Sequence, residues 1–281
     1  MIPKIIHYCW LSNDPIPADY QRCMATWKEK LPDYEFMLWD AARFDMNSVL
    51  WVKQAFDVKL YACAADYIRL YAVYSHGGIY LDMDMEVVKP FGELLNANTM
   101  LAYENHIGHN VEAGCFGAEI NNPYIKKCMD YFEETPFFDP ALLPKVLDLP
   151  QSKRHKFIDP LILPEIMKDA AEKYFSADEL HFYPPDYFTA KNIVTGKIEA
   201  TDNTFTIHHF AAQYHSEEWR KNRIAEQSIR ASFGEKTKLS KIILVIRGAA
   251  QRVKRYGFFT AARYYIDRFI LHKRSWEGLD F

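Results

Sequence analysis

Residues 77–86 read Gly-Gly-Ile-Tyr-Leu-Asp-Met-Asp-Met-Glu, a glycine pair followed by a short apolar run that ends in two carboxylates, Asp82 and Asp84. Side chains alternate between the two faces of an extended strand, so both carboxylates are expected on one face and Met83 on the other. They repel each other there unless a hard divalent cation such as Mn²⁺ or Mg²⁺ lies beside them. The pattern therefore predicts a metal site at a strand end, although a solvated acidic turn would also fit an isolated Asp-x-Asp.

The preceding residues, 60–76, are apolar on nearly all sides of a helix, which is typical of a buried helix. Its two central charges, Asp66 and Arg69, are three residues apart and so share a face. They fit either an internal salt bridge or a ligand site in which Arg69 donates to a phosphate or sugar hydroxyl and Asp66 accepts from sugar hydroxyls. The glycine pair at 77–78 then ends the helix and starts the strand.

The N-terminal region alternates between strand and helix patterns, with a strand at 4–10, a helix at 20–31 and a strand at 34–39. This order is typical of a parallel βαβ unit and predicts an α/β fold. Ligands bind beyond the carboxyl ends of such strands, where Trp10 and Asp40 fall. Trp10 fits either a stacking surface for a flat ring, such as a nucleotide base, or a lid on the core.

The composition excludes several classes of protein. The net charge of −3 over 281 residues argues against general nucleic-acid binding. Five cysteines, odd in number and scattered, predict reduced thiols rather than a zinc site or a disulfide framework. We find neither a secretory signal pattern nor an apolar run of about 18 residues, so the expected location is the cytoplasm.

Residues 65–71, Ala-Asp-Tyr-Ile-Arg-Leu-Tyr, followed by residues 76–84, resemble the DXD sugar-binding signature of glycosyltransferase family 32. Residues 2–10 are similar to the opening strand of that family. The family contains bacterial capsular polysaccharide and lipopolysaccharide sugar transferases and yeast-type mannosyltransferases, and it is related to the glucosylating domains of clostridial toxins. The resemblance implies a GT-A fold, a Rossmann-like mixed sheet flanked by helices.

The resemblance also implies an activity. It predicts transfer of a hexose, with retention of configuration, from a nucleotide sugar to a hydroxyl of a polysaccharide or lipid-linked oligosaccharide. A UDP-sugar is the favoured donor and a GDP-sugar the alternative. The negative charge that builds on the departing nucleotide would be neutralised by the divalent cation together with Arg69.

Site roles carried over from the family fall on nine residues, including two histidines discussed next. Trp10 would stack on the donor base, with Tyr8 and Tyr80 in the same donor pocket. Asp66 and Arg69 would hold the donor sugar and diphosphate. Asp84 would bind the metal directly, and Asp82 would contact the metal or its water, the ribose or the sugar.

Residues 204–212 read Thr-Phe-Thr-Ile-His-His-Phe-Ala-Ala, a short strand pattern that ends in two histidines. His208 is the candidate third metal ligand, with His209 next to it, because neutral imidazole suits Mn²⁺ better than Mg²⁺. A structural histidine is the alternative. The family often places Ser-Trp shortly after this histidine, and here either Gln213-Tyr214 replaces that pair or Ser216 and Trp219 serve after an insertion.

Two further regions are assigned by composition. Polar residues cluster between two predicted strands and fit either an acceptor or donor-sugar site or an exposed loop; they are Glu104, Asn105, His106, His109, Asn110 and Glu112. Residues 135–163 contain five prolines and are predicted to be irregular.

The C-terminal segment, residues 236–274, contains eleven lysines and arginines and one acid, Asp267. It divides near Tyr256-Gly257 into two amphipathic helices with basic faces. This pattern predicts an interfacial anchor on an anionic membrane surface, with a helical pair packed on the acidic main domain as the alternative. We therefore expect a glycosyltransferase domain at 1–235, a basic helical tail at 236–281, and a peripheral position on the inner face of the cytoplasmic membrane.

Two other functions compete with this interpretation. A phosphohydrolase of the haloacid dehalogenase type also uses Asp-x-Asp, but its motif follows the first strand, whereas here about 80 residues precede it. A carbohydrate-binding module would hold sugar and metal without hydrolysing a donor, and would not need Arg69 beside the metal.

Overall fold

The structure, a computed structural model, describes residues 1–104, 110–151, 153–154, 161–211 and 217–256. The chain divides into two compact units. The first comprises Met1–Ile193 and Lys197–Arg220, and the second comprises Val194–Gly196 and Lys221–Phe281. The domain boundary predicted after residue 235 stays a prediction.

The strands of the described residues are two to five residues long, and the named helices range from six to 19 residues. The strands are β1 (Ile5–Cys9), β2 (Glu35–Trp39), β3 (Gly78–Leu81), β4 (Met85–Val87), β5 (Thr99–Ala102), β6 (Cys115–Ala118), β7 (Phe182–Tyr183) and β8 (Thr206–His208). The helices are α1 (Ala18–Lys30), α2 (Leu50–Asp57), α3 (Tyr61–His76), α4 (Pro123–Glu134), α5 (Leu143–Asp148), α6 (Leu163–Tyr174), α7 (Glu217–Phe233) and α8 (Lys238–Tyr256).

A mixed sheet forms the centre of the first unit, with strand order β2-β1-β3-β6-β5-β7. Strand β1 pairs in parallel with β2 and β3, whereas β6 pairs antiparallel with β3 and β5. The predicted α/β fold with a mixed sheet flanked by helices is confirmed. Separately, β4 pairs antiparallel with β8, which sets Met85 opposite His208. This pairing brings the end of the Asp-x-Asp stretch to the histidine pair.

Helix α3 has the buried character that its sequence predicts. Ile68, Leu70 and Val73 are fully buried in a cluster shared with residues of α2, α4 and α6. A second cluster contains residues of α1, β3 and β4, where the Trp27 indole donates to the Met85 carbonyl at 2.6 Å. The strands on either side of the Asp-x-Asp stretch, β3 and β4, are therefore held by apolar packing.

The glycine pair after α3 is required by backbone geometry. Gly77 and Gly78 have φ of 64° and 102°, in the left-handed region that favours glycine. A Cβ on Gly78 would lie 2.7 Å from the Ile5 carbonyl oxygen. The Gly77 carbonyl accepts a 2.7 Å hydrogen bond from His7 Nε2. The turn from α3 into β3 is thus fixed against β1.

Several sequence expectations change in detail. Residues 135–163 are not irregular throughout, because they contain α5 and a 3₁₀ turn at Pro140–Leu142. The sequence patterns did not indicate α2 or α7. Part of the 135–163 region, residues 155–160, lies outside the described residues.

Helix α8 belongs to the second unit and is the first of the two predicted tail helices; the second, beyond residue 256, lies outside the described residues. The sequence predicts one apolar stripe on this helix, formed by Leu239, Ile242, Ile243, Ile246 and Ala250. The exposed apolar face differs from it, because Ile243 is half-buried whereas Val245 and Val253 are exposed. Among the described helices, none combines the length and apolar character needed to cross a bilayer.

Candidate active site

The two carboxylates of the Asp-x-Asp stretch meet through a turn and not through an extended strand. Strand β3 ends at Leu81, and the Met85 amide donates to the Asp82 carbonyl at 2.9 Å. Met83 is buried in the core, only 4% exposed. The predicted strand alternation is therefore wrong, because the turn replaces it. The expected result, Asp82 and Asp84 together with Met83 turned away, is nevertheless present.

Arg69 forms the first polar cluster of the site. Its guanidinium lies 3.3 Å from Asp66 Oδ1 and 3.3 Å from Asp82 Oδ2, and it donates to the Ala113 carbonyl at 3.0 Å. It also lies over the Tyr80 ring, 4.7 Å from the centroid. The internal salt bridge considered for Asp66 and Arg69 is present. It extends to Asp82, so the pair is part of the site as well.

Burial and neighbouring charges together set the pKa values of this cluster. Burial raises the pKa of Asp66 to about 7, although the nearby Arg69 acts in the opposite direction. Burial would lower the pKa of Arg69, but Asp82, Tyr80 and Asp66 together hold it above its ordinary value. Tyr80 completes the cluster by donating its hydroxyl to Asp82 Oδ1 at 2.8 Å. Arg69 thus supplies a permanent positive charge beside Asp82.

His208 forms the second polar cluster. Its Nε2 lies 3.6 Å from Asp84 Oδ1, and its Nδ1 lies 3.1 Å from Glu112 Oε1. Asp84 is also held from the other side, because its Oδ2 accepts the Ala211 amide at 2.7 Å. Asp82, Asp84 and His208 each offer one ligand atom, and these atoms lie within 4.8 Å of one another.

The charges of this second cluster depend on its carboxylates. Burial lowers the pKa of His208, but Glu112 and Asp84 outweigh burial and raise it to about 10. Burial would raise the pKa of Glu112, yet His208 and the hydrogen bonds from Gly114 and Thr189 keep it below its ordinary value. Without a metal ion, His208 and Glu112 therefore form an ion pair.

The residues fit a divalent cation. Two carboxylate oxygens and one imidazole nitrogen form a donor set that suits Mn²⁺. A Cβ on Gly114 would lie 2.9 Å from His208 Cε1 and 3.0 Å from Asp82 Oδ2. Glycine at this position therefore keeps the space between Asp82 and His208 free of side-chain atoms.

The other predicted site residues lie outside this trio. His209 Nε2 contacts Glu86 Oε2 at 2.7 Å. Trp10 is half-buried, donates to the Asp14 carbonyl at 2.9 Å and packs edge-on against Tyr20. Tyr8 is half-buried and packs edge-on against Trp27, within the cluster that contains α1. Their roles with a donor, and the ligand role of His209, stay predictions.

The polar loop is only partly described. Asn105, His106 and His109 lie outside the described residues, as do Gln213, Tyr214 and Ser216. Glu112 is 2% exposed, so the exposed-loop alternative does not hold for it. Thr189 and Gly114 were missed by sequence reasoning, since neither has a motif around it and each reaches the site through the fold.

Comparison with known proteins gives the family. The sequence model described as "Glycosyltransferase sugar-binding region containing DXD motif" matches residues 17–106. This range contains Asp66, Arg69, Tyr80 and both motif aspartates. It excludes Trp10 and His208.

Two curated relatives are similar to parts of the chain. Inositol phosphoceramide mannosyltransferase 3 of Schizosaccharomyces pombe is 33% identical over 99 residues, which cover 34% of this chain and 28% of the relative. An uncharacterized glycosyltransferase of Acanthamoeba polyphaga mimivirus is 31% identical over 140 residues, covering 46% of this chain and 56% of the relative. The chain therefore spans about half or less of the length of these relatives.

Among solved structures, the PaToxG glycosyltransferase matches at a TM-score of 0.45 and 19% identity, covering 61% of this chain and 69% of that one. The sequence matches alone carry the assignment. They agree with the resemblance found in residues 65–71 and 76–84, and the two motif aspartates lie inside the matched range. The resemblance to the DXD glycosyltransferases of family 32 is thus confirmed, and it rests on the match of residues 17–106 to the model of the sugar-binding region and on the similarity to the named relatives.

Proposed function

We propose that this chain is a metal-dependent glycosyltransferase that moves a hexose from a UDP- or GDP-sugar to a hydroxyl of a glycan or lipid-linked acceptor. One observation carries the proposal: Asp82, Asp84 and His208 converge within 4.8 Å, and Asp82 is also paired with the buried Arg69. Negative charge develops on a departing diphosphate, and positive charge placed beside it stabilises the transition state. The chain supplies one permanent cation and the ligands for another.

Different residues of the site would hold the cation, supply fixed positive charge and orient a ligand. Asp82, Asp84 and His208 would hold a divalent cation, which when bound supplies positive charge at the diphosphate. Arg69 adds its fixed charge, and its contacts with Asp66 and Ala113 prevent it from swinging away. The Tyr80 hydroxyl orients Asp82. Retention of configuration stays a proposal from the family, and NMR of the product anomer tests it.

The names of the relatives suggest which sugar to test first. The Schizosaccharomyces pombe relative is named as a mannosyltransferase acting on inositol phosphoceramide. Mannose is therefore the first hexose to try, on both GDP and UDP, beside glucose and galactose. A capsular or lipopolysaccharide acceptor and the lipid-linked acceptor suggested by this relative are the acceptor classes to compare.

A donor-hydrolysis and thermal-shift screen tests the proposal. The protein is incubated with each nucleotide sugar, with and without Mn²⁺, alongside Asp84→Asn. We expect metal-dependent stabilisation and nucleotide release with one donor, and at least about a 100-fold slower release in the variant because a ligand to the cation is lost. Asp178→Asn, a change at an exposed aspartate, is the control and should behave as wild type.

The same screen separates the rival functions. Release of phosphate from simple phosphate esters, without use of any nucleotide sugar, would replace the proposal with a phosphohydrolase. Binding of sugar and Mn²⁺ without hydrolysis of any donor would support a carbohydrate-binding protein.

We also infer that the tail segment, residues 236–274, contacts an anionic membrane surface from the cytoplasmic side. The described part, α8, exposes an apolar face while its exposed charges, Lys238, Lys241 and Lys254, are all positive. Apolar area combined with one-signed charge is typical of interfacial helices. The exposed apolar residues are Leu239, Ile242, Val245, Ile246 and Val253.

Liposome co-sedimentation tests this inference. The full chain should sediment with anionic vesicles and much less with neutral phosphatidylcholine vesicles. A chain ending at Glu235 should stay in the supernatant, and Lys238→Glu combined with Lys241→Glu should weaken binding by about 1 kcal/mol for each lysine replaced. Equal sedimentation of the shortened chain would exclude the tail as the anchor.

A further inference from the structure

Glu112 is the most buried carboxylate near the site, and the proposed roles above do not use it. It lies between β5 and β6 and is 2% exposed. Its amide donates to the Ala102 carbonyl at 2.9 Å, which ties its backbone to β5. A carboxylate is buried in this way only when its oxygens have partners, so its partners indicate its purpose.

Within the described part of the chain, the partners of the Glu112 carboxylate are all donors. Oε1 accepts the Gly114 amide at 2.7 Å, and Oε2 accepts the Thr189 hydroxyl at 2.8 Å. The same two oxygens lie 3.1 and 3.2 Å from His208 Nδ1. Because a carboxylate can only accept here, Nδ1 must carry the hydrogen. The ring atom left for Asp84 and for a cation is then Nε2.

We propose that Glu112 is a positioning residue that fixes the ring orientation and tautomer of His208, so that Nε2 faces the Asp82–Asp84 pair. This inference rests on the proposed metal-dependent function. A carboxylate behind a histidine ligand typically sets its tautomer and makes it a stronger ligand. Thr189 and the Gly114 amide in turn hold the carboxylate, so the arrangement extends from β8 through Glu112 to the backbone beside β6.

The same short segment also serves the Arg69 side of the site. The Ala113 carbonyl accepts from Arg69, and the Gly114 carbonyl accepts the Asp82 amide at 2.7 Å. A shift of Glu112 would therefore be transmitted to both clusters. For this reason the test measures the histidine directly as well as the overall affinity for metal.

The experiment is a Mn²⁺ titration of the full chain followed by electron paramagnetic resonance, without any sugar donor. Glu112→Ala should bind Mn²⁺ about 10- to 100-fold more weakly than wild type, the range typical for loss of such a partner. Glu119→Ala, at a half-exposed glutamate paired with the N-terminus, is the matched control and should bind as wild type.

A spectroscopic measurement distinguishes positioning from a general structural role. Electron spin echo modulation from a directly bound imidazole nitrogen should be present in wild type and Glu119→Ala and absent or much weaker in Glu112→Ala. If Glu112→Ala does not fold, Thr189→Val decides, because it removes only the hydroxyl that holds Oε2. Its Mn²⁺ affinity should fall about fivefold, the equivalent of one hydrogen bond.

The outcomes separate this inference from the proposed function. Wild-type affinity and unchanged nitrogen modulation in Glu112→Ala, or in Thr189→Val where that variant decides, would overturn the role of Glu112 and leave the metal site standing. No Mn²⁺ binding by wild type would overturn the metal site and this role with it.

Discussion

His7 and His208 are the same side chain in two opposite settings within one unit. His7, on β1, is fully buried and both of its hydrogen-bond partners are neutral: its Nε2 donates to the Gly77 carbonyl at 2.7 Å and its Nδ1 accepts from the Trp39 indole at 3.1 Å. His208, on β8, lies between the carboxylates of Asp84 and Glu112. One ring joins two strands and a helix end, whereas the other belongs to the candidate active site.

The two rings differ accordingly in charge. Burial lowers the pKa of His7 to about 4, while the carboxylates around His208 outweigh burial and raise its pKa to about 10. Burial alone therefore does not identify a functional histidine. The charge of the partners does, because acidic partners preserve a cation that a bound metal ion can replace.

The largest effect is expected when Arg69, the cation paired with Asp66 and Asp82, is replaced. Arg69→Met keeps much of the apolar stem but leaves Asp66 and Asp82 without their cationic partner. We expect a loss of about 3–5 kcal/mol in the free energy of unfolding, measured by urea denaturation, because both carboxylates are largely buried. Arg22→Met, at an exposed ion pair with Asp19, should cost less than about 1 kcal/mol. Equal losses of unfolding free energy in the two variants would show that the ion pairs of Arg69 contribute no more than an exposed pair.

The next test measures how His7 makes the stability of the protein depend on pH. The folded protein keeps His7 neutral while the unfolded chain takes up a proton near pH 6.5, so stability is intact above pH 6.5 and declines as the pH falls toward 4. Between pH 7 and pH 4 the wild type should lose about 3 kcal/mol more than His7→Gln. Glutamine can keep both hydrogen bonds of His7 and does not titrate.

Urea denaturation at several pH values measures this difference. His181→Gln, at an exposed histidine, is the control and should follow the wild-type profile. Parallel profiles for wild type and His7→Gln would mean that His7 takes up its proton at the same pH in the folded and unfolded chains, against the contrast with His208.

A third test examines the space beside His208. Gly114→Ala should weaken Mn²⁺ binding at least about 10-fold and cost about 1–3 kcal/mol in stability, because the new methyl group overlaps the candidate ligands. Gly117→Ala is also crowded, with its Cβ 3.0 Å from the Gly78 carbonyl oxygen, but it lies away from the carboxylates. It should lose stability and keep the metal. Loss of metal affinity in both variants would point to general overpacking.

The smallest expected effect is on donor binding, when Trp10, the predicted stacking residue, is replaced. If Trp10 stacks on the donor base, as the family resemblance implies, Trp10→Phe should weaken donor binding about fivefold, or about 1 kcal/mol, because the ring is smaller. Calorimetric titration with the donor found in the screen measures this change. Tyr174→Leu, at an exposed residue of α6, serves as the control. Unchanged affinity in Trp10→Phe would assign Trp10 to the core.

The parts of the site that local spacing could predict are those near α3. Asp66, Arg69, Tyr80 and Asp82 lie within 17 residues: helix periodicity puts Asp66 and Arg69 on one face, and the glycine turn starts the strand that leads to Tyr80 and Asp82. The α/β fold followed from the same local alternation of strands and helices. The Arg69–Asp82 contact was not predicted, because its distance depends on how the chain turns after β3.

The contacts that the sequence did not predict join residues that are far apart along the chain. Glu112 and His208 are 96 residues apart, and the antiparallel pairing of β4 with β8 brings His208 to the motif. His208 was nevertheless a candidate ligand because its residue type suited the metal. Thr189 had no such signal, since a hydroxyl that supports a carboxylate looks like any other buried threonine.

Met83, the middle residue of the motif, has a consequence for ion selectivity. Its side chain is buried with those of Leu81 and Met85, so the turn that carries the two aspartates is anchored on both sides and in the middle. Such an anchored turn cannot widen easily. Ca²⁺ prefers longer bonds and a flexible shell of six to eight oxygens, whereas Mg²⁺ and Mn²⁺ accept a compact octahedral one. We therefore expect the buried methionine to make the proposed metal site favour Mg²⁺ and Mn²⁺ over the larger Ca²⁺.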